Sequence, residues 1–252
     1  MNESDRARPL ANYILDYIDL AVDAICRTRE VSSVSLVGVC QGGTFSLCYA
    51  SIFPDRIDRL ATLITPVDFH AGGSLLTHWC KHVDTGLLER APSNIPGTVI
   101  NGVFQLLRPF SDLRRQVQMI AQSGNGENLE LMARMDQWVF SGPDQPARAF
   151  AEFLRWFFQD NRLVSGELVL GDHRVNLSRI KAPVFNILSG NDHIVPPDSA
   201  RALAGFCSPD RYRESVCSGG HIGLLVSRRA QQTILSELAE WLAGRDPEEK
   251  IA

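Results

Sequence analysis

Between Val34 and Thr65 the chain alternates between strand-length apolar runs and a helical pattern with almost no joint between them. Val34-Ser-Leu-Val-Gly38 reads as a strand that ends in glycine. From Gly42 to Phe53 the pattern is helical, and Pro54 stops it. Leu60-Ala-Thr-Leu-Ile-Thr65 follows at once as a second strand. Ahead of them Leu10, Ile14, Tyr17, Ile18, Ala21, Val22 and Ile25 recur at helical spacing, which predicts an amphipathic helix over 10–28. Helix, strand, helix and strand with short joints describe a parallel sheet covered by helices, so the fold class is α/β.

The rhythm breaks over residues 66–180, where Trp, Phe, Gly and Pro are frequent and helical stretches are expected at 128–140 and 146–160. That length exceeds an ordinary crossover and predicts an inserted helical cap. The sheet pattern returns at Pro183-Val-Phe-Asn-Ile-Leu-Ser189, with a helix over 197–206 and a short strand near Tyr212–Val216. A last helix, 228–243, is expected to bury Ile234, Leu235, Leu238, Trp241 and Leu242 and to end at Gly244. The predicted organisation is thus a core of 1–65 with 181–252, and an inserted cap of 66–180.

Composition excludes several classes of function. Of 252 residues 44% are hydrophobic and 21% charged, an ordinary globular balance, and the net charge of −4 carries no basic run for a nucleic acid. No apolar run is long enough to span a membrane, and the first residues, MNESDRARPL, lack the apolar segment of a signal peptide. The six cysteines form no CxxC pair and no zinc-like spacing with histidine, so free thiols in a reducing cytoplasm are expected.

The sharpest local signal is Gly38-Val39-Cys40-Gln41-Gly42, placed between the first strand and its helix. A nucleophile elbow has this G-x-nucleophile-x-G form. The turn holds its central residue in a strained backbone conformation that lifts the side chain above the sheet. Small residues are expected at Gly38 and Gly42 because strand and helix pass close together. A thiol at a helix N-terminus meets the positive end of the helix dipole, which favours thiolate. The Gln41 amide would then donate to an oxyanion. Two glycines around a cysteine also fit a mere tight turn, but here the strand and helix lie where the chemistry requires them.

In such a fold the acid follows the nucleophile in the chain and the histidine comes last. Asp192 lies just past the third strand in Ser189-Gly-Asn-Asp-His-Ile-Val-Pro-Pro197, and His221 past the fourth in Ser218-Gly-Gly-His-Ile-Gly223. An Asp in a turn often only bonds its own backbone, and a glycine-flanked His can simply be exposed. Together, in the order Cys40, Asp192, His221, at three strand ends, they form a candidate triad. Other residues carry less. His78 and His82 lack a third ligand for a metal, His193 is taken as structural, and Asp68 is better placed for a turn than for a pocket mouth. Cys48 reads as core packing. Trp138, Phe140, Trp156 and Phe157 fit either an acyl channel or, more naturally, a core.

The stretches Gly38–Tyr49, Thr65–Phe69, Asp192–Pro197 and Gly219–Gly223 resemble polyhydroxyalkanoate (poly-3-hydroxybutyrate) synthases, chiefly the catalytic subunit of the two-subunit class III enzymes. The resemblance runs from about residue 12 to 243. It implies an α/β-hydrolase fold and the polymerisation of short-chain 3-hydroxyacyl-coenzyme A, such as 3-hydroxybutyryl-CoA, with release of CoA. Cys40 would carry the acyl chain as a thioester, His221 would act as base and Asp192 would support it. No cofactor is implied beyond the CoA thioester itself, and no metal. The implied partners are a second copy, a second synthase subunit and the surface of cytoplasmic polyester granules. Relatives carry a longer region ahead of the elbow, so this sequence is expected to lack the sheet's first strands. A thioesterase or polyester hydrolase of the same fold, or an inactive fragment that only binds its partner or granule, remain open alternatives.

Overall fold

A computed structural model describes residues 3–107, 137, 141–226 and 231–244. The chain forms two compact units, Met1–Pro9 with Asp84–Glu152, and Leu10–Val83 with Phe153–Ala252. In the second, a π-helical stretch Asn12–Tyr17 runs into α1 (Ile18–Arg29), followed by β1 (Val34–Val39), α2 (Gln41–Ile52) and β2 (Ile57–Leu63). A short helix, α3 (Leu75–Cys80), ends this stretch. The first unit contributes α4 (Thr85–Glu89) and α5 (Gly97–Leu106). The sequence expectation put the insertion at 66–180; residues 66–83 and 153–180 lie in the same compact unit as the sheet.

Beyond α6 (Ala147–Phe153) and a π-helical Leu154–Gln159 come a two-residue hairpin, β3 (Val169–Leu170) with β4 (His173–Arg174), and then β5 (Val184–Ser189). The order closes with α7 (Pro197–Arg201), β6 (Tyr212–Cys217), α8 (Gly223–Val226) and α9 (Ser236–Leu242). The expected helix over 128–140 lies outside the described residues, apart from Gln137, which is helical.

The main sheet has four strands in the order β1-β2-β5-β6, all parallel. Parallel strands bury both faces and therefore read as near-continuous apolar runs. β5 fits that description, with every residue from Val184 to Ser189 buried. Its one amide is satisfied inside: Asn186 accepts from the Thr62 hydroxyl at 3.0 Å and donates to the Ala200 carbonyl and the Tyr212 hydroxyl. On one face Ala61, Leu63, Phe185 and Ile187 pack against Leu224, Ile234, Leu238 and Trp241. Each fully buried side chain of this size contributes ~1.5–3 kcal/mol. On the other, α2 is buried from Gly43 to Ile52 except at Phe45. The Tyr49 hydroxyl donates to Asp19 at 2.6 Å and Arg56 pairs with Asp23, so α1 is tied to the far end of α2.

Local differences from the sequence expectation have physical causes. The second strand spans Ile57–Leu63 rather than 60–65, because Ile64 turns to φ 45° and leaves the sheet. Tyr17 and Ile25 are 43% and 49% exposed, where the helical stripe had placed them inside. The π-helical turns of Asn12–Tyr17 change the angle per residue and rotate the stripe before α1 begins. Leu235, expected in the core, is likewise 49% exposed at the join of a π-helical turn and α9. Among the described strands β1 pairs only with β2, and its Val37 and Val39 are exposed. Cys40, Asp192 and His221 follow the carboxyl ends of three of the four strands, where parallel sheets gather their functional loops.

Candidate active site

Cys40 stands alone between β1 and α2 with φ 50° and ψ −122°, a conformation that costs a non-glycine residue about 1–3 kcal/mol. Its surroundings over-determine that geometry. The Cys40 N–H donates to the Leu63 carbonyl at 2.9 Å, and its own carbonyl accepts from Gly43 and Thr44 at 3.0 and 3.2 Å. The strand is thereby anchored to β2 while α2 starts at the same residue. Gln41 opens α2, so its N–H has no intrahelical acceptor and lies at the positive end of the helix. The partly exposed Cys40 packs with Ile194 against Leu188, Val195 and Ala200.

The need for small residues falls partly where expected. A Cβ on Gly38 would lie 2.4 Å from the Gly43 Cα and 2.7 Å from the Ser46 hydroxyl oxygen. At Gly42 the expectation fails, since a Cβ there meets nothing within 4 Å. The close approach belongs to Gly43, whose Cβ would fall 1.9 Å from the Thr65 hydroxyl oxygen. The first turn of α2 aims position 42 away from the sheet and position 43 at the end of β2. Thr44 completes this seam by donating its hydroxyl to the Pro66 carbonyl at 2.8 Å.

Asp192 is almost wholly buried, its side chain 1% exposed. One carboxylate oxygen accepts the N–H groups of Ile194 and Val195, both at 2.9 Å. The other meets Nδ1 of His221 at 2.6 Å. Cys40 adds to the upward shift of the His221 pKa alongside Asp192, so its thiol lies within electrostatic reach of the ring. With Nδ1 held by Asp192, Nε2 is the ring nitrogen left for the thiol. Burial disfavours the imidazolium, but the hydrogen bonds and charges of Asp192 and Cys40 outweigh it and raise the His221 pKa to about 9.

The remaining candidates take quieter places. Asp68 closes a turn, accepting from the N–H groups of His70 and Ala71 and from the Asn161 amide. His78 and His82 stack edge to face at 5.2 Å, and among the described residues no three His, Cys, Asp or Glu converge as a metal site would need. Burial pushes the thiol of Cys48 up, those of Cys207 and Cys217 to about 11 and that of Cys80 to about 12, which suits packing and not nucleophilic attack. Phe157 is fully buried and packs with Phe69 and Phe153, a core arrangement. Trp138 and Phe140 lie outside the described residues. Gly43 and Thr65 escaped the sequence reading, although the doubled glycine after Gln41 was the available sign.

Comparison with known proteins places this geometry in a family. The family model for the alpha/beta hydrolase fold matches residues 1–227. The poly(3-hydroxyalkanoate) polymerase subunit PhaC of Thiocystis violacea is 39% identical over 97% of this chain and 69% of its own length. That of Allochromatium vinosum is 40% identical over the same shares. Among solved structures, a thermophilic esterase from Thermogutta terrifontis superposes with a TM-score of 0.55 at 16% identity, over 94% of this chain and 74% of that one. At that identity the likeness speaks for the fold alone. By sequence and by fold, the chain belongs to the poly(3-hydroxyalkanoate) polymerase PhaC family, built on the alpha/beta hydrolase fold.

Proposed function

We propose that this chain polymerises short-chain 3-hydroxyacyl-CoA into a polyester, with Cys40 carrying the growing chain as a thioester. The observation that supports this most is the 2.6 Å pairing of Asp192 with His221, together with a cysteine held at φ 50° on a strand-to-helix turn. His221 Nε2 holds the thiol proton while sulfur attacks the thioester carbonyl. The tetrahedral oxyanion accepts the Gln41 N–H, and CoA leaves with the proton returned by His221. The 3-hydroxyl of a second acyl-CoA, deprotonated by His221, then attacks the Cys40 thioester. An ester forms, the thiol is restored, and the lengthened thioester returns to Cys40 with loss of CoA. Throughout, Asp192 holds His221 in one tautomer and offsets the imidazolium charge.

The chemistry favours a thiol over a hydroxyl. Exchange between two thioesters is nearly isoenergetic, so the chain remains activated for the next attack. All steps are acyl transfers, which require no redox cofactor and no metal. The working partners on this reading are the acyl-CoA, the polyester, a second copy or second synthase subunit, and the granule surface in the cytoplasm. No described helix is long and apolar enough to cross a membrane.

Intact-protein mass spectrometry after incubation with 3-hydroxybutyryl-CoA tests the proposal. The expected result is a mass increase in hydroxybutyryl units that is absent from Cys40→Ala. A Cys40→Ala chain that still releases CoA at the native rate overturns it. Free hydroxy acid without polymer assigns the chain to hydrolysis instead.

A further inference from the structure

The loops that carry Asp192 and His221 are joined below the reacting pair by a second connection. Ser189, the last residue of β5, is 1% exposed, and its hydroxyl donates to the Gly219 carbonyl at 2.5 Å. The Gly190 N–H donates to the Cys217 carbonyl at 2.9 Å, continuing the β5–β6 ladder by one rung. Asp192 lies three residues beyond Ser189 and His221 two beyond Gly219. The Ser189–Gly219 bond and the Asp192–His221 bond therefore close a small ring between the two loops.

At Gly219 itself the backbone is loosely confined. Gly219 has φ 137°, a region open to glycine and to few other residues, so its backbone is free to leave it. A Cβ built there meets nothing within 4 Å, so side-chain packing does not confine it. The loop's own carbonyl is its handle, and Ser189 is the buried donor that holds it.

We infer that Ser189 is a positioning residue for His221, setting through Gly219 the approach of the imidazole to Asp192 and Cys40. The inference rests on the triad reading proposed above. Ser189 touches neither the thiol nor the acyl group; its effect passes through the loop. Removing the hydroxyl leaves the Gly219 carbonyl without its donor, and the loop gains freedom two residues from the ring.

The test combines Ser189→Ala and Ser189→Thr with two readouts on the full chain. The first is the His221 pKa by NMR, its signal assigned by difference from His221→Gln. The second is the rate of Cys40 acylation by 3-hydroxybutyryl-CoA. In Ser189→Ala the His221 pKa is expected to fall from about 9 toward 6.5, and acylation to slow about tenfold, the loss that one ordinary hydrogen bond allows. In Ser189→Thr, which keeps a hydroxyl on the same carbon, both are expected to return toward the wild-type values. A loss of stability alone would lower the melting temperature and leave the His221 pKa of the folded chain where it was. An unchanged pKa in a folded Ser189→Ala chain overturns the inference while leaving the triad reading intact. Acylation that survives in Cys40→Ala sinks the triad reading itself. If the alanine variant does not fold, Ser189→Cys, close in volume and a weak donor, gives the same pKa readout.

Discussion

The hydroxyl of Thr65 stands where a side chain on Gly43 would have to go, 1.9 Å from the position of its Cβ. Thr65 is itself fully buried and bonded to the Leu63 carbonyl at 3.1 Å, so it has little room to yield. Gly43→Ala therefore forces the start of α2 away from the end of β2 and is expected to cost about 1–3 kcal/mol. Gly42→Ala has open space and a helical position to fill, and is expected to gain roughly 0.5–1 kcal/mol. Urea denaturation of the two variants decides the matter. Equal destabilisation by both would place the close approach at the wrong glycine.

The same pair shows what a single sequence carries and what it does not. Strand, elbow and helix around Cys40 were legible because local periodicity and the glycine spacing encode them directly. The chain order of Cys40, Asp192 and His221 was legible for a similar reason, since each follows its own strand. Contacts between segments distant in sequence left no such mark. Nothing in the residues around Ile64, a β-branched type that favours strands, announces a left-handed turn at φ 45°. The hydroxyl of Ser189 could be read as any small polar side chain at a strand end until its partner across the loops was seen.

Asp192→Asn separates charge from shape. The amide oxygen can still accept from Ile194 and Val195, so the loop is expected to hold. Its NH2 group then faces Nδ1 of His221, which must turn from donor to acceptor. The ring proton moves to Nε2, the side that should receive the thiol proton. Acylation of Cys40 is expected to fall roughly 10⁴-fold, the loss seen when a triad acid becomes an amide. Rapid-quench measurement of CoA release with 3-hydroxybutyryl-CoA reads this directly. A variant within twofold of wild type would show that Asp192 is only a turn residue.

The raised pKa of His221 links stability to pH in a defined direction. The folded chain binds this proton more tightly than the unfolded one, whose histidine titrates near 6.5. The stabilisation is complete below that pH and is lost as pH rises through about 9. The urea midpoint is expected to fall across that window in the wild type, and this part of the fall to vanish in His221→Gln. In Cys40→Ala the thiol's share of the upward shift is gone, so the fall is smaller and ends at lower pH. Identical pH profiles for wild type and His221→Gln would mean that Asp192 does not hold a protonated ring.

Phe157 offers a test of whether the aromatic cluster next to the sheet is core or conduit. It is fully buried, with ring centroids 5.3 Å from Phe69 and 5.0 Å from Phe153, and Phe153 in turn meets Phe45 of α2 edge to face at 5.8 Å. A ring enclosed on these sides packs like the rest of the interior, and Phe157→Ala leaves a cavity its neighbours only partly fill. The expected cost is about 3–5 kcal/mol of stability. Because Phe45 lies in the second turn of α2, well clear of the bonds that fix Cys40, acylation per folded molecule is expected to stay within a few-fold of wild type. Chemical denaturation and the acylation rate, measured on the same preparation, separate the two roles. A Phe157→Ala chain that keeps its stability but changes its preference for acyl length would make this cluster part of the substrate path.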